Sequence, residues 1–149
     1  MKIALGNDHA AVELKQYLAE KITEAGHEVI DLGVNSTDSV DYPVYGAAAA
    51  REVAEGRADR AVLICGSGVG IGISANKVPG IRCVICSEPY SAEMSRRHND
   101  ANALAIGARV VGFDLAWMIV DTWLTAEFEG GRHERRVNLI KDLDAGQSE

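Results

Sequence analysis

The chain lacks the basic surface that nucleic-acid and membrane-surface binders need. Its 15 Lys and Arg residues are outnumbered by 22 Asp and Glu residues, which leaves a net charge of −7. An acidic balance of this size excludes a general binder of nucleic acid or of an anionic membrane surface. We therefore expect neither nucleic acid nor a membrane as a partner.

Long hydrophobic runs are also missing. No apolar stretch reaches the roughly 20 residues that a helix needs to span a bilayer. The N-terminal stretch "MKIALGNDHA" has an apolar run too short for the hydrophobic region of a secretory signal. The sequence therefore predicts a soluble, cytoplasmic protein.

Cysteine is scarce, and its odd count predicts no disulfide framework. The three cysteines are Cys65, Cys83 and Cys86. Cys83 and Cys86 spell C-x-x-C, but within "IRCVICS", a strand pattern that sends positions three apart to opposite faces. We expect two small apolar core residues there and no redox pair. The chain has no convincing metal-ligand cluster, so we expect neither a metal nor another cofactor.

Strand-like and helical segments alternate along the chain. Strands are predicted at 2–6, 27–33, 60–66, 80–87 and 103–111, and helices follow each of them, one opened by Pro43, one around 71–77 and a last amphipathic one at 132–143. Such alternation with short connections predicts an α/β fold with a parallel sheet covered by helices on both faces. A length of 149 residues fits a single domain over residues 1–149. Ligands of such folds bind beyond the carboxyl ends of the strands.

The stretch "AVLICGSGVGIGISANK" (61–77) places four glycines after the third strand. Gly66, Gly68, Gly70 and Gly72 let the backbone turn tightly and expose N–H groups, and the helix that follows favours negative charge. A tight turn without a ligand is the alternative. A dinucleotide site is a further one, but G-x-G-x-x-G fails from Gly66 and, from Gly70, begins after the loop has turned. The loop therefore predicts an anion site.

Cys65 lies at the mouth of this loop. Buried cysteines are usually inert apolar residues. A thiol facing amide N–H groups and a helix N-terminus is instead stabilised as the reactive thiolate. Asp8 and His9 follow the first strand, where Asp8 is either a helix N-cap or a site residue. We expect Cys65 to act on the bound anion.

Polar residues elsewhere have two interpretations each. His98 and Asn99 lie at a helix end, where a histidine often only complements the helix dipole. Arg132, with Arg136 on the same face of the last helix, forms either a solvated basic face or a forked anion clamp.

Several motifs together resemble the ribose-5-phosphate isomerase B family, which includes galactose-6-phosphate isomerase subunits. They are "DHA", "DYP", "CGSGVGIGISANK", "GIRCVICSEPYSAEMSRRHNDAN", "GARVVG" and "GGRHERR", and the resemblance covers roughly residues 2–140. It implies a Rossmann-like three-layer sandwich with a five-stranded parallel sheet. It also implies an aldose–ketose isomerase of carbohydrate metabolism that interconverts ribose 5-phosphate and ribulose 5-phosphate through an enediol(ate).

The resemblance assigns roles residue by residue. Cys65 matches the base, His98 the residue that opens the sugar ring, and Ser67 a hydroxyl position where many relatives have threonine. Substrate contacts are implied for Asp8, His9, Tyr42, Gly66, Ser67, Gly68, Val69, Gly70, Asn99, Arg109, Arg132 and Arg136, with the last two on the phosphate. One branch of the family uses a glutamate base at the position of Ile71. This chain therefore matches the cysteine branch.

The resemblance implies a homodimer whose active sites are shared between subunits, and it leaves a homotetramer open. We expect the C-terminal helix, about 132–143, to contribute to a neighbouring subunit. The apolar segment "DLAWMIVDTWLTAEF" carries more apolar surface than one sheet face usually covers, which also predicts a subunit contact. Three other functions remain open: isomerisation of another phosphorylated sugar such as allose 6-phosphate or a tetrose phosphate, non-catalytic binding of a phosphate or nucleotide, and a cysteine-based hydrolase or phosphatase. The last is disfavoured because no arginine follows Cys65 until Arg82.

Overall fold

Five parallel strands form a single sheet in the computed structural model, which describes residues 1–145. The strands are β1 (Lys2–Asn7), β2 (Glu28–Asp31), β3 (Arg60–Cys65), β4 (Cys83–Ile85) and β5 (Ala103–Gly107). Their order across the sheet is β2-β1-β3-β5-β4, and every neighbouring pair is parallel. The predicted α/β class is confirmed.

Helices cover both faces of this sheet. A short 3-10 turn (His9–Ala11) precedes α1 (Val12–Glu24), and α2 (Tyr42–Ala54), α3 (Val69–Asn76), α4 (Pro89–Asn99), α5 (Phe113–Thr125) and α6 (Arg132–Asp144) follow. Helices α1, α4 and α5 pack on one face, whereas α2 and α3 pack on the other. Helix α6 lies against α4. Within residues 1–145, no helix combines the length and the apolarity that crossing a membrane requires.

The two faces differ in the size of their side chains. The face under α1 and α5 carries bulky residues such as Ile3, Leu5 and Ile106, which pack around the fully buried Trp123. The opposite face carries alanines, among them Ala61 and Ala105. Small residues let a helix approach the sheet closely. This brings the glycine-rich α3 against the central strands.

The C-x-x-C residues behave as the strand pattern predicted. Cys83 packs into the core under α2 and α3, and Cys86 packs into the core on the other face. Both thiols are free. Burial raises the pKa of Cys83 to about 12 and that of Cys86 to about 11, so both remain protonated at neutral pH.

Several element boundaries differ from the sequence prediction, among them the end of β2 at Asp31 and not at 33. Strand β4 spans only Cys83–Ile85 of the predicted 80–87, because Arg82 donates its backbone N–H to the Asn102 side chain and not to a strand. Strand β5 ends at Gly107 and not at 111, because the N–H groups of Val110 and Val111 both turn back to the Gly107 carbonyl. Helix α3 starts at Val69, two residues before the predicted 71.

Candidate active site

A cleft of about 620 Å³ opens at the carboxyl ends of β1, β3 and β5. It is lined by Asp8, Tyr42, Cys65, Gly66, Ser67, Val69, Gly70, Ile73, Arg109 and Val110. The direction of the chain crossovers reverses between β1 and β3, which are neighbours in the sheet. Ligands of open parallel sheets bind at such a switch point. The structure therefore brings together most of the residues that the first, third and fifth strands were expected to contribute.

Cys65 is the last residue of β3 and is only 4% exposed. Its Sγ accepts the backbone N–H of Gly68 at 3.2 Å. An N–H donor directed at sulfur stabilises a thiolate more than a thiol, because the bond to an ion is the stronger one. The thiol is therefore oriented by the glycine loop, as the sequence predicted.

Gly68 is required in the loop for two reasons. Its φ of +80° lies in the left-handed region, and a Cβ there would come within 2.7 Å of the Ile106 carbonyl carbon. A Cβ at Gly107 would likewise meet the Ser67 carbonyl carbon at 2.6 Å. The loop and the end of β5 thus cross backbone to backbone, which holds the loop in place beside Cys65.

The loop presents donors to the cleft. Among the hydrogen bonds formed within residues 1–145, none uses the backbone N–H of Ser67 or of Gly70. The Ser67 Oγ accepts the N–H of Val69 at 3.2 Å, which leaves its hydroxyl proton free to donate. The Arg109 guanidinium lies over Gly66, and a Cβ added at Gly66 would be 3.3 Å from Arg109 Nη1. These groups line the same cleft as Asp8 and offer hydrogen-bond donors to an anion.

Asp8 and His9 follow β1 and are held by local hydrogen bonds. Asp8 Oδ1 accepts the N–H of Ala10 at 3.0 Å, so Asp8 caps the 3-10 turn while also lining the cleft. His9 Nδ1 accepts the N–H of Val40 at 3.1 Å. In the neutral ring this leaves the proton on Nε2, which becomes a donor. His9 borders a smaller hollow beside the cleft that also includes Ala108 and Phe113.

A second group of predicted residues lies near the amino ends of β4 and β5, whereas the cleft lies at the carboxyl ends of the strands. His98 and Asn99 end α4, and Asn99 is joined to the start of β4 by a hydrogen bond from Arg82 Nε to its carbonyl at 3.1 Å. Cys65 pairs with Gly107 at the far end of β5. The four residue steps along β5 alone span about 13 Å. Within one chain, His98 and Asn99 therefore do not reach the Cys65 cleft.

The arginines of α6 belong to this second group. Arg132 and Arg136 are both exposed and lie one turn apart at the start of α6. Arg132 Nε lies 3.4 Å from His133 Nε2, and the His133 ring stacks on that of His98. His98, Arg132 and Arg136 thus form one basic surface.

His133 and Glu129 were not predicted as site residues. The rings of His98 and His133 stack with centroids 4.2 Å apart and an interplanar angle of 8°. Glu129 Oε2 lies 3.9 Å from His98 Nε2 and 3.6 Å from His133 Nε2. The helical spacing of His133 and Val137, both buried, indicates an inward-facing histidine. Its contact with His98 depends on tertiary packing and has no local sequence signal.

Burial and neighbouring charges shift the pKa values of two residues in this cluster. A hydrogen bond from Arg97 lowers the pKa of the Glu129 carboxyl below its usual value. Burial lowers the pKa of His133, and the nearby His98 and Arg132 act in the same direction. Two histidines and a carboxylate are potential metal ligands. However, the lone pairs of two parallel rings do not converge on one point, and Arg97 and Arg132 stand beside the group.

Apolar side chains surround the mouth of the Cys65 cleft. Val69, Ile73 and Val110 are each about half exposed or more, and Tyr42 lies beside them against Gly70. On the other side of the molecule, α5 buries Trp123 and Ile119 in the core but leaves Phe113 and Met118 exposed.

The model of one protein family, described as Ribose/Galactose Isomerase, matches residues 3–140. The chain is 54% identical over 143 residues to a protein of Escherichia coli named ribose-5-phosphate isomerase B, covering 96% of each chain. It is 40% identical over 141 residues to D-erythrulose-4-phosphate isomerase of Pectobacterium atrosepticum, covering 94% of this chain and 93% of the relative.

Solved structures show the same fold. The structure of ribose-5-phosphate isomerase B from Clostridium thermocellum is 53% identical to this chain and superposes with a TM-score of 0.96. The match covers 99% of this chain and 100% of that one. The similarity therefore extends over the whole sheet and its helices.

Proposed function

The chain belongs to the ribose/galactose isomerase family and is an isomerase, and from this premise we propose that it interconverts ribose 5-phosphate and ribulose 5-phosphate. The observation that carries the mechanism is the hydrogen bond from the Gly68 N–H to Cys65 Sγ. It orients the sulfur that we assign as the base beside the N–H groups of Ser67 and Gly70, which have no hydrogen-bond partner within residues 1–145 and which we assign as the oxyanion site. Proton abstraction beside a carbonyl needs both.

The proton transfer starts from the open-chain aldose. The Cys65 thiolate removes the proton from C2, and the electron pair of that C–H bond forms the C1–C2 double bond. The carbonyl oxygen O1 takes the negative charge, which makes an enediolate. The loop N–H groups bind this charge more strongly than the neutral carbonyl, so they lower the barrier.

Ser67 is placed to redistribute the remaining proton. Its oxygen is held by the Val69 N–H, while its own proton is free. We assign it the relay of a proton from O2 to O1, which moves the negative charge to O2. The Cys65 thiol then returns its proton to C1. This forms the ketose carbonyl at C2 and regenerates the thiolate.

Two further tasks fall to the basic surface. Ribose 5-phosphate is mostly a closed ring, which has no carbonyl to enolise. His98 takes the proton of the O1 hydroxyl and returns a proton to the ring oxygen, a transfer for which an imidazole is suited. Arg132 and Arg136 bind the phosphate. Asp8, His9, Tyr42, Asn99 and Arg109 are assigned the sugar hydroxyls and the other substrate oxygens.

These tasks require two chains, because within one chain His98 lies near the amino ends of the strands and Cys65 lies at their carboxyl ends. We propose a homodimer in which the basic surface of one subunit covers the Cys65 cleft of the other. The apolar rim formed by Val69, Ile73 and Val110 supports this arrangement, because clustered exposed apolar residues typify subunit contacts. The exposed side of α5 leaves a further pairing into a homotetramer open. Three free cysteines fit work in the reducing cytoplasm.

Another sugar phosphate is the main alternative substrate. Tetrose, pentose and hexose phosphates share the same chemistry at C1 and C2. The relative named for D-erythrulose 4-phosphate favours a tetrose phosphate as the second candidate. A non-catalytic binding module is the remaining alternative, but it gives Cys65 no task.

The test is a direct assay without added metal. Purified protein is given ribose 5-phosphate, erythrose 4-phosphate and allose 6-phosphate in parallel, and ketose formation is followed. We expect the highest kcat/KM for ribose 5-phosphate. Binding of all three without turnover would support the binding module instead, and a higher kcat/KM for another sugar would identify that sugar as the substrate.

A further inference from the structure

We infer that Glu129 and His133 are positioning residues that hold the His98 ring ready for ring opening. This inference rests on the proposed function, since it gives His98 two partners in that task. His98 is a helix-terminal side chain that is 37% exposed, and a side chain of this kind has rotational freedom. A proton shuttle between two defined oxygens needs a fixed ring, because a misplacement of about 1 Å costs roughly 100-fold in rate.

The stacking with His133 fixes the plane of the ring. His133 is only 7% exposed and lies in the first turn of α6, packed within the fold. Burial lowers its pKa, so it remains neutral and does not repel His98 when His98 becomes charged. A neutral, buried ring stacked at 4.2 Å restricts His98 to one rotamer.

Glu129 supplies the charge that complements His98. Its Oε2 lies 3.9 Å from His98 Nε2, where a carboxylate stabilises the imidazolium that forms when His98 accepts a proton from O1. Its other oxygen, Oε1, accepts Arg97 Nε at 2.6 Å. This pairing lowers the pKa of the Glu129 carboxyl and keeps it ionised.

The backbone fixes Glu129 to the same helix end. The Glu129 N–H donates to the Arg97 carbonyl at 3.0 Å, so Arg97 and Glu129 are joined both through the backbone and through their side chains. Gly130 and Gly131 follow with φ values of +64° and +57°. This turn with positive φ angles leads into α6, where His133 Nε2 lies 3.6 Å from Glu129 Oε2. The two glycines thus permit a turn that leaves both Glu129 and His133 beside the His98 ring.

The main test compares a sugar that must open with one that cannot close. Erythrose 4-phosphate carries its phosphate on O4 and forms no furanose, so it needs no ring opening. In Glu129→Gln we expect kcat on ribose 5-phosphate to fall about 10- to 100-fold with little change in KM, and activity on erythrose 4-phosphate to stay within about twofold. The matched control is Glu93→Gln, which removes the other carboxylate paired with Arg97 but does not face His98.

His133 is tested by a conservative exchange. Phenylalanine retains a flat ring but no polar atom, whereas alanine removes the stack. We expect His133→Phe to keep most of the activity on ribose 5-phosphate that His133→Ala loses. Equal losses in both variants, or equal losses on both sugars in Glu129→Gln, would overturn the inference and leave these residues with a structural or binding role.

A second measurement needs no other sugar. A protein that opens the ring must also catalyse exchange between the two furanose anomers of ribose 5-phosphate, which magnetisation-transfer NMR follows directly. In a Cys65→Ser background this exchange should persist, and adding Glu129→Gln but not Glu93→Gln should slow it about 10-fold or more. Unchanged exchange would overturn the inference. If the wild-type protein does not isomerise ribose 5-phosphate at all, the proposed function fails first, which is a separate outcome.

Discussion

Complementation between two inactive variants tests whether each active site needs two chains. Cys65→Ser removes the base from the cleft at the carboxyl ends of the strands. His98→Asn removes the ring-opening residue from the basic surface near their amino ends. Both exchanges are nearly isosteric, so both chains should fold and dimerise. Each variant alone should be almost inactive on ribose 5-phosphate.

The structure sets the expected magnitude. The four residue steps of β5 separate the amino and carboxyl ends of the strands by about 13 Å, whereas a catalytic hydrogen bond spans about 3 Å. His98 and Cys65 of the same chain therefore cannot serve one site. A mixed dimer then carries one site with both defects and one site with neither. Random pairing of equal amounts makes half of the dimers mixed, and the mixture should regain about a quarter of the wild-type activity.

The assay uses co-expressed chains with two different affinity tags, so that mixed dimers are purified by two successive steps. Purified mixed dimers should show about half of the wild-type kcat with an unchanged KM, because one of two sites is intact. Mixed dimers as inactive as either parent would refute the shared site. So would a monomer in sedimentation at assay concentration with full wild-type activity.

Three further predictions concern single residues. His98→Asn should lower kcat on ribose 5-phosphate by about 100- to 10,000-fold but spare erythrose 4-phosphate, as measured by parallel steady-state kinetics; equal losses would assign His98 to binding or folding. Arg136→Ala should weaken binding of phosphorylated sugars by about 2–3 kcal/mol, roughly 30- to 150-fold in KM, whereas Arg135→Ala, which is not on the clamp, should not; an unchanged KM would restore the solvated basic face. Cys83 has a pKa of about 12 in the fold against 9.0 in the unfolded chain, so its stabilisation is complete below pH 9 and is lost as the pH rises through 12. Between pH 8 and pH 10 the free energy of unfolding should therefore fall by about 1 kcal/mol more in the wild type than in Cys83→Ala in guanidinium titrations, and equal losses would contradict the burial of this thiol.

Much of the fold follows from local patterns in the sequence. The apolar runs of β1, β3 and β5 are continuous because helices cover both faces of the sheet, so they stand out clearly. The edge strand β4 was predicted too long, and at its N-terminal end the N–H groups of Arg82 and Cys83 donate to the side chains of Asn102 and Asn76 and not to another strand. Side-chain pairing of this kind has no periodic signal.

Patterns within the sequence indicate the candidate site only where it is local in the chain, whereas His98, Asn99 and the arginines of α6 are implied by the family resemblance. Cys65, Ser67 and Gly68 share one loop, and the glycine pattern marks it as an anion site. The spacing of residues in the sequence does not show that the candidate site residues are divided between the carboxyl and the amino ends of the strands. It depends on where α4 ends relative to β3, which only the tertiary structure determines. Glu129 gave no signal for the same reason, since its partners Arg97 and His98 lie about thirty residues earlier.

The central claim is that Cys65 is the base that creates the enediolate. Its most direct test is hydrogen exchange at C2 of ribose 5-phosphate in deuterated water, compared between the wild type and Cys65→Ser. The wild type should exchange the C2 hydrogen with solvent during turnover. Cys65→Ser should still bind the sugar phosphate but show no exchange and lose most of kcat, because a serine hydroxyl is far too weak an acid to exist as its anion at neutral pH. Near-normal kcat and continued exchange in Cys65→Ser would contradict the account and place the base elsewhere, with Asp8 the next candidate.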